Sequence, residues 1–306
     1  METKTREQVA LVAGGAVIGG LLAAAATQFF SAASAKGGVE GAKGTESADA
    51  EMSTTSSAHS GAVYETSTAV SEYLQFHYGK PEDIMPYTLC TEQCKKLGVP
   101  MGRALDVGCA VGATSFELSK DFEEVVGVDF SHAFVAAANS MKGGSATYAA
   151  TTEGEVKGTF TASLESGVKP GAVTFEQGDA CALRPDIGKF SVVHGANLLC
   201  RLPNPAAFLD RLKDIVVEGG LVVLVSPYSW LPAYTAKDKW LGGFNAADGK
   251  PADSFEGLTA ALQGHFDLVH TENMPFLIRE HLRKFQWGCS HATVWQRKAS
   301  AGAAQA

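Results

Sequence analysis

The chain has 306 residues, room for one large domain or two small ones. Apolar residues make up 45% and charged residues 19%, which supports a sizeable core and excludes wholesale disorder. Lys and Arg number 25 against 33 Asp and Glu, and the resulting charge of −8 is the wrong sign for a nucleic-acid binder that relies on phosphate contacts. Six cysteines at no regular spacing do not form a disulfide framework. Cys90 and Cys94 lack a matching His/Cys pair, so no zinc site is expected.

Val9 to Phe30 is apolar apart from Thr27 and Gln28, and is long enough to span a bilayer. Three readings of residues 1–30 stand. A membrane anchor fits the length, with Gly15 and Gly19 forming a small-residue face for helix packing. A secretory signal would use Lys4 and Arg6 before the run and Ala33-Ser34-Ala35 as its cleavage site. An organelle presequence is the third reading, and Glu2 and Glu7 weigh against it. Residues 31–62, rich in Ala, Gly, Ser and Thr, have the composition of a flexible linker. The predicted catalytic domain covers 63–298, and 299–306 reads as a disordered tail.

Helices are predicted over Ser67–Tyr78 and Pro86–Leu97, followed by a strand at Ala104–Val107 and a helix at Thr114–Lys120. A strand at Val125–Val128 and a helix at His132–Met141 come next. Gly143–Gly171 is an insertion, either a lid or an exposed excursion. Strands at Val173–Glu176 and Phe190–His194, a helix at Pro205–Val217, a strand at Leu221–Ser226 and a helix at Phe255–Gln263 complete the alternation. Two last strands, near Asp267–Met274 and Ala292–Gln296, have no long helix between them. This order predicts an α/β, doubly wound, Rossmann-like sheet of seven strands with one antiparallel strand. Ligands in such sheets bind beyond the C-terminal ends of the strands.

The first strand runs into Ala104-Leu-Asp-Val-Gly-Cys-Ala-Val-Gly112. Gly108 and Gly112 let the backbone turn tightly and approach a ligand, with Ala110 between them. Nicotinamide enzymes use a similar turn, so the discriminating residue is Asp106, whose carboxylate would repel a diphosphate but tolerates a cationic ligand such as S-adenosylmethionine. The second strand ends at Asp129-Phe130, where an acid can accept from both ribose hydroxyls. Asp179-Ala180 follows the third strand, and Asp179 could accept from an adenine amino group. Each acid alone reads equally well as a helix cap; three in register with a glycine loop indicate an adenosyl cofactor used for methyl transfer.

Several further stretches make the sequence similar to the 4-mercaptohistidine (5-thiohistidine) N1-methyltransferase family, the methyltransferase domain of ovothiol-biosynthesis enzymes. They are Tyr64-Glu65, Val70 to Gly79, Gln177 to Cys181, Ala196-Asn197, Arg201-Leu202, Ser226 to Trp230, Lys239 to Phe244, Pro275 to Glu280 and Arg283 to Gln286. The resemblance spans roughly Tyr64 to Arg297. It implies a class I S-adenosylmethionine-dependent methyltransferase that converts 5-thiohistidine to ovothiol A, with the sulfur installed by a separate enzyme. Larger family members carry an N-terminal iron-dependent sulfoxide synthase, for which this chain has no room. At Cys200 it departs from the family, which has an acid near that position.

Methyl transfer from a sulfonium is an in-line displacement in which the protein contributes mainly orientation. Asn197 and Tyr228, after the fourth and fifth strands, are the expected imidazole holders, and Arg279 the carboxylate anchor, with Arg201, Trp230 and Arg283 as further substrate residues. Each has a packing or ion-pair alternative. His77, Tyr78 and Tyr228 are the general-base candidates, and none is needed if the ring enters neutral. No metal is expected. The requirement for the methyl donor and reduced thiols puts the domain in a reducing, cofactor-supplied compartment, membrane-anchored by the apolar segment or, after cleavage, in the cytoplasm or an organelle interior. Rival readings are a methyltransferase for another small molecule, such as the α-amine of histidine, and a non-catalytic, membrane-tethered adenosyl-binding protein.

Overall fold

In the strand Val216–Ser226, Leu221 and Val223 enter one apolar core while Val222 and Leu224 enter another. That alternation marks a strand buried on both faces. It recurs across the sheet in the computed structural model, which describes residues 62–79 and 88–299. The apolar segment, the linker up to Gly61 and the tail from Ser300 onward lie outside the described residues, as do residues 80–87, where Pro86 is the predicted start of the second helix. Among the described residues no helix is long and apolar enough to cross a membrane.

A short 3-10 turn, Val63–Glu65, leads into α1 (Ser67–Tyr78), α2 (Leu89–Leu97), β1 (Arg103–Val107), α3 (Ala113–Leu118), β2 (Glu124–Asp129) and α4 (His132–Met141). The hairpin β3 (Ser145–Glu153) and β4 (Val156–Ser163) precedes β5 (Val173–Gln177), β6 (Phe190–Ala196), α5 (Pro205–Ile215) and β7 (Val216–Ser226). The chain ends with the two-residue strands β8 (Phe244–Asn245) and β9 (Pro251–Ala252), then α6 (Ser254–Leu262), β10 (Phe266–His281) and β11 (Lys284–Arg297). The main sheet has seven strands in the order β10-β11-β7-β6-β1-β2-β5. Its central pairs are parallel and β11 alone runs against them, so the doubly wound sheet with one antiparallel strand is as expected.

Two cores follow from this winding. One face packs α1 to α4 through Leu74, Leu89, Phe116 and Phe134; the other packs α5 and α6 through Phe208, Leu212, Leu258 and Leu262. Two expectations need correction, and a third gains a defined structure. The helix predicted to reach Val217 stops at Ile215, because β-branched Val216 and Val217 extend β7, and Gly219 at φ 75° accommodates the register shift beside β6. The insertion at 143–171, read as a lid or an exposed excursion, is a β-hairpin packed against α1 and β10. The last two strands, predicted as short segments, are 16 and 14 residues long.

That extra length matters for function. His291 pairs with Ser226 at the C-terminal end of β7, and Phe285 lies six residues further along the ribbon. At strand rise the ribbon therefore projects about 20 Å past the edge where ligands bind.

Candidate active site

Gly108 and Gly112 adopt φ of 75° and 89°, a region that favours glycine. A Cβ on Gly112 would stand 2.6 Å from the Phe175 ring, a close approach that adds to its backbone requirement, whereas one on Gly108 would stand 3.0 Å from the end of the Leu198 side chain, so that position is held mainly by its φ. The amides of Gly108 and Cys109 both donate to the Val128 carbonyl, which pins the loop to β2.

Asp129 organises the next turn. Its Oδ2 accepts from the Ala110 amide and its Oδ1 from the Ser131 amide, both at 2.9 Å. Burial pushes its carboxyl up to about 6, against the downward pull of those two amides. Each oxygen keeps a further lone pair, enough for two ribose hydroxyls. Phe130 stands beside it 60% exposed, its ring open at the place where an adenine would lie. Ala180 is buried, and exposed Asp179 caps the following turn by accepting from the Cys181 amide at 2.8 Å. These residues fit an adenosyl cofactor: a backbone cradle, a double acceptor and an open aromatic face.

Asp106 requires correction. The sequence suggests a carboxylate facing the cofactor, but the side chain is 2% exposed and both of its oxygens are engaged. Ser115 Oγ donates to Oδ2 at 2.6 Å, and His194 Nδ1 lies 2.8 Å from Oδ1. Asp106 ties β1, β6 and α3 together under the loop, and so positions the loop from below.

Above the loop lies a cap that sequence spacing did not reveal. The Glu65 carboxylate accepts from the amides of His132 and Ala133, satisfying the start of α4, and Ser131 Oγ donates to the Tyr64 carbonyl at 2.9 Å. At the far end of α1 the Tyr78 hydroxyl donates to the Val111 carbonyl at 2.9 Å. Gln75 Nε2 donates to the Arg279 carbonyl, which joins the cap to the β10–β11 ribbon. The cap thus crosses the cofactor loop and meets the ribbon.

Under the cap, side chains from distant segments converge. Tyr64 and Tyr73 meet edge to face at 6.3 Å, and the Tyr234 hydroxyl, from the loop after β7, acts electrostatically on that of Tyr64. The Arg201 guanidinium stacks 4.8 Å over the Tyr234 ring and donates to the Ser229 carbonyl at 2.8 Å. Burial raises the Tyr64 and Tyr73 hydroxyls, with Arg201 opposing the shift in both, so the phenols stay protonated donors. Ser131, whose amide donates to Asp129 and whose hydroxyl donates to the Tyr64 carbonyl, ties Tyr64 to the ribose-acceptor turn. Asn197 borders the cleft at the end of β6 and accepts from Ser290 Oγ at 2.9 Å.

The remaining substrate candidates have partners of their own. Side chains alternate along the ribbon without irregularity from Met274↔Ser290 to Arg279↔Phe285. Arg279, stacked 4.8 Å over the Phe285 ring, therefore projects from the face opposite Ser290. Tyr228 also packs on the α5/α6 side, with its hydroxyl 3.1 Å from His291 Nδ1. Trp230 is 7% exposed, donates its indole N–H to Ser254 and stacks on Trp240, so it is a core residue. Arg283 sits exposed at the ribbon tip. Asn197 and Arg201 lie four residues apart after β6, Arg201 reaches the Ser229 carbonyl between Tyr228 and Trp230, and Arg279 and Arg283 lie out along the ribbon. Of the base candidates, half-buried His77 is held down to about 4 by desolvation and is a poor base at neutral pH. Tyr78 and Tyr228 are tied to Val111 and His291.

Ala110, Asn197 and Tyr228 are the non-glycine residues at positive φ among those described, at 48°, 52° and 52°. All three follow the C-terminal ends of parallel strands, where backbone strain commonly accompanies function. No three-ligand metal cluster occurs among the described residues.

Residues 87–265 match the family model of a methyltransferase domain. No curated protein matches the sequence. Among solved structures, magnesium protoporphyrin IX methyltransferase from Synechocystis is 16% identical, with 81% of this chain and 100% of that chain covered at a TM-score of 0.49. An S-adenosylmethionine-dependent methyltransferase from Clostridium acetobutylicum is 12% identical, with 74% and 98% covered at 0.48.

Proposed function

The chain belongs to the methyltransferase-domain family and uses S-adenosylmethionine, and from that premise we propose that it methylates the imidazole nitrogen of 5-thiohistidine to give ovothiol A. The observation that carries this reading is the grouping of Tyr64 and Tyr73, joined to the Asp129 turn through Ser131, with Arg201 stacked on Tyr234, and Asn197 four residues before Arg201 at the end of β6. Neutral phenol donors and one guanidinium favour an anionic group, and Asn197 can pair with an azole. A zwitterionic amino acid bearing a thiolate-substituted imidazole has both. The stretches resembling the thiohistidine family include Tyr64, Tyr73, Asn197 and Arg201.

When bound, S-adenosylmethionine supplies an electrophilic methyl group. The residues of this chain supply position and exclude water: Gly108 to Gly112 and Asp129 hold the adenosyl end, while the α1 cap covers it. The substrate sulfur is intrinsically the better nucleophile, so N-methylation requires that sulfur be held off the reaction line. Arg201 and the phenols are suited to hold the sulfur or the carboxylate, leaving ring nitrogen facing the methyl group. No base is required for a neutral ring, in keeping with the poor basicity of His77. Sulfur insertion belongs to a separate enzyme. The domain works in a reducing compartment that supplies the methyl donor, held to a membrane through Val9 to Phe30.

The test is incubation of the protein with S-adenosylmethionine and a panel of histidine derivatives, with products read by mass spectrometry and NMR. Ring N-methylation confined to 5-thiohistidine is expected. S-methylation, or equal methylation of histidine, overturns the assignment.

A further inference from the structure

The geometry points to the outer face and tip of the β10–β11 ribbon as a surface that docks on a lipid bilayer. The ribbon's inner face is occupied: Ser290 meets Asn197, and the Phe276 ring lies over Gly288, where a Cβ would stand 2.3 Å from it. The outer face carries Leu277 opposite Trp287 and Arg279 opposite Phe285. Trp287 is 71% exposed, Leu282 at the turn 53% and Phe285 39%. These three are among the most exposed large apolar side chains described, and they share one tip with His281, Arg283 and Lys284.

Three observations select a bilayer as the occupant. The exposed parts of Trp287, Phe285 and Leu282 amount to about 300 Å², well under the ~800 Å² per partner of a stable protein interface. A tryptophan and leucine flanked by Arg and Lys is the composition that lies at the headgroup boundary, with the rings in the interface and the cations at lipid phosphates. The tip carries Arg279, Arg283 and Lys284 against Glu280, which pairs with Lys284, so it keeps a positive balance although the whole chain carries −8, and anionic lipid complements it. In addition, Val9 to Phe30 has the length and apolarity of a bilayer span, and the 31 residues from Ser31 to Gly61 reach about 100 Å at full extension. Chain length therefore lets the domain lower its ribbon onto a membrane that holds the N-terminal run.

The experiment reconstitutes the full chain with vesicles of phosphatidylcholine containing one-third phosphatidylserine and follows tryptophan emission, with Trp287→Phe providing the background from Trp230, Trp240 and Trp295. Trp287 emission should shift to the blue, resist aqueous acrylamide and be quenched by bromine-labelled lipid. Leu282→Ser should reduce the docked population's equilibrium constant about tenfold, and pure phosphatidylcholine should dock more weakly. Equal acrylamide access to Trp287 with and without vesicles overturns the proposal, whether or not the chain sediments with them. So does a blue shift that appears without lipid and grows with protein concentration, which would identify a second copy as the occupant. Both readouts are independent of methyl transfer, so they stand apart from the substrate assignment.

Discussion

The cofactor edge and the proposed substrate cleft share one rim of the sheet but are built differently. At the cofactor edge, Gly108, Ala110, Gly112 and Asp129 lie within 22 residues of sequence and are joined by main-chain hydrogen bonds. The cleft draws Tyr64 and Tyr73 from the N-terminal cap, Asn197 and Arg201 from the end of β6, Tyr234 from a loop after β7 and Ser290 from the ribbon. The contrast teaches where each function is vulnerable. Backbone geometry makes the first site hard to alter without unfolding the loop, whereas the second depends on a few side-chain contacts between segments that could vary separately.

The sharpest break between the two sites should come from Asp129→Ala. Losing a charged acceptor for two hydroxyls costs roughly 1.5–3 kcal/mol, so calorimetry should show the cofactor dissociation constant rising about tenfold to several hundredfold. Unchanged affinity in a folded variant would remove Asp129 from the cofactor edge.

Arg201→Ala should do the reverse, leaving cofactor affinity intact while lowering kcat/KM for thiohistidine by up to about 100-fold, the cost of slight misplacement. A variant with normal turnover and weakened cofactor binding would contradict the division of labour.

Acidification should affect the cofactor edge first. The ionised form of Asp129 accepts from both hydroxyls, and its carboxyl is raised to about 6 by burial. Cofactor binding favours that ionised form, so affinity should fall as pH drops through about 6 and stay high above it. Asp129→Asn should bind more weakly and lose this dependence; a retained slope would assign it to another group.

Glu65→Ala removes the acceptor for two amides at the start of α4 and should cost about 0.5–2 kcal/mol of stability, read as a lower thermal midpoint. Saturating cofactor should recover part of that loss if the cap closes over it.

The smallest effect is expected for Arg279→Ala. Its side chain stacks on Phe285 on the outer ribbon face, so KM for thiohistidine should stay within about twofold, a surface change worth a few tenths of a kcal/mol. A large rise in KM would restore Arg279 as the carboxylate anchor and show that the ribbon rearranges on binding.

The fold and the glycine loop were legible in the sequence because their signals are local. Period-two apolar runs such as Leu221 to Leu224, and a glycine-punctuated turn after the first of them, depend on neighbours in the chain. Asp106 was misjudged because its partners, Ser115 and His194, are brought beneath it only by folding. The same limit explains Trp230, whose indole meets Ser254 across 24 residues of sequence. Tyr234 carried no sequence signal, since a lone tyrosine in a loop resembles any other.

What the sequence determined by itself is the strand–helix order and the cofactor turn, because these follow from local period and turn chemistry. Tertiary structure alone decided which side chains share the cleft. One residue of register moves a ribbon side chain to the opposite face, and that alternation puts Ser290 toward Asn197 and Arg279 away from it. Register and the docking of the cap are set by contacts between segments far apart in the chain, which composition and spacing do not encode.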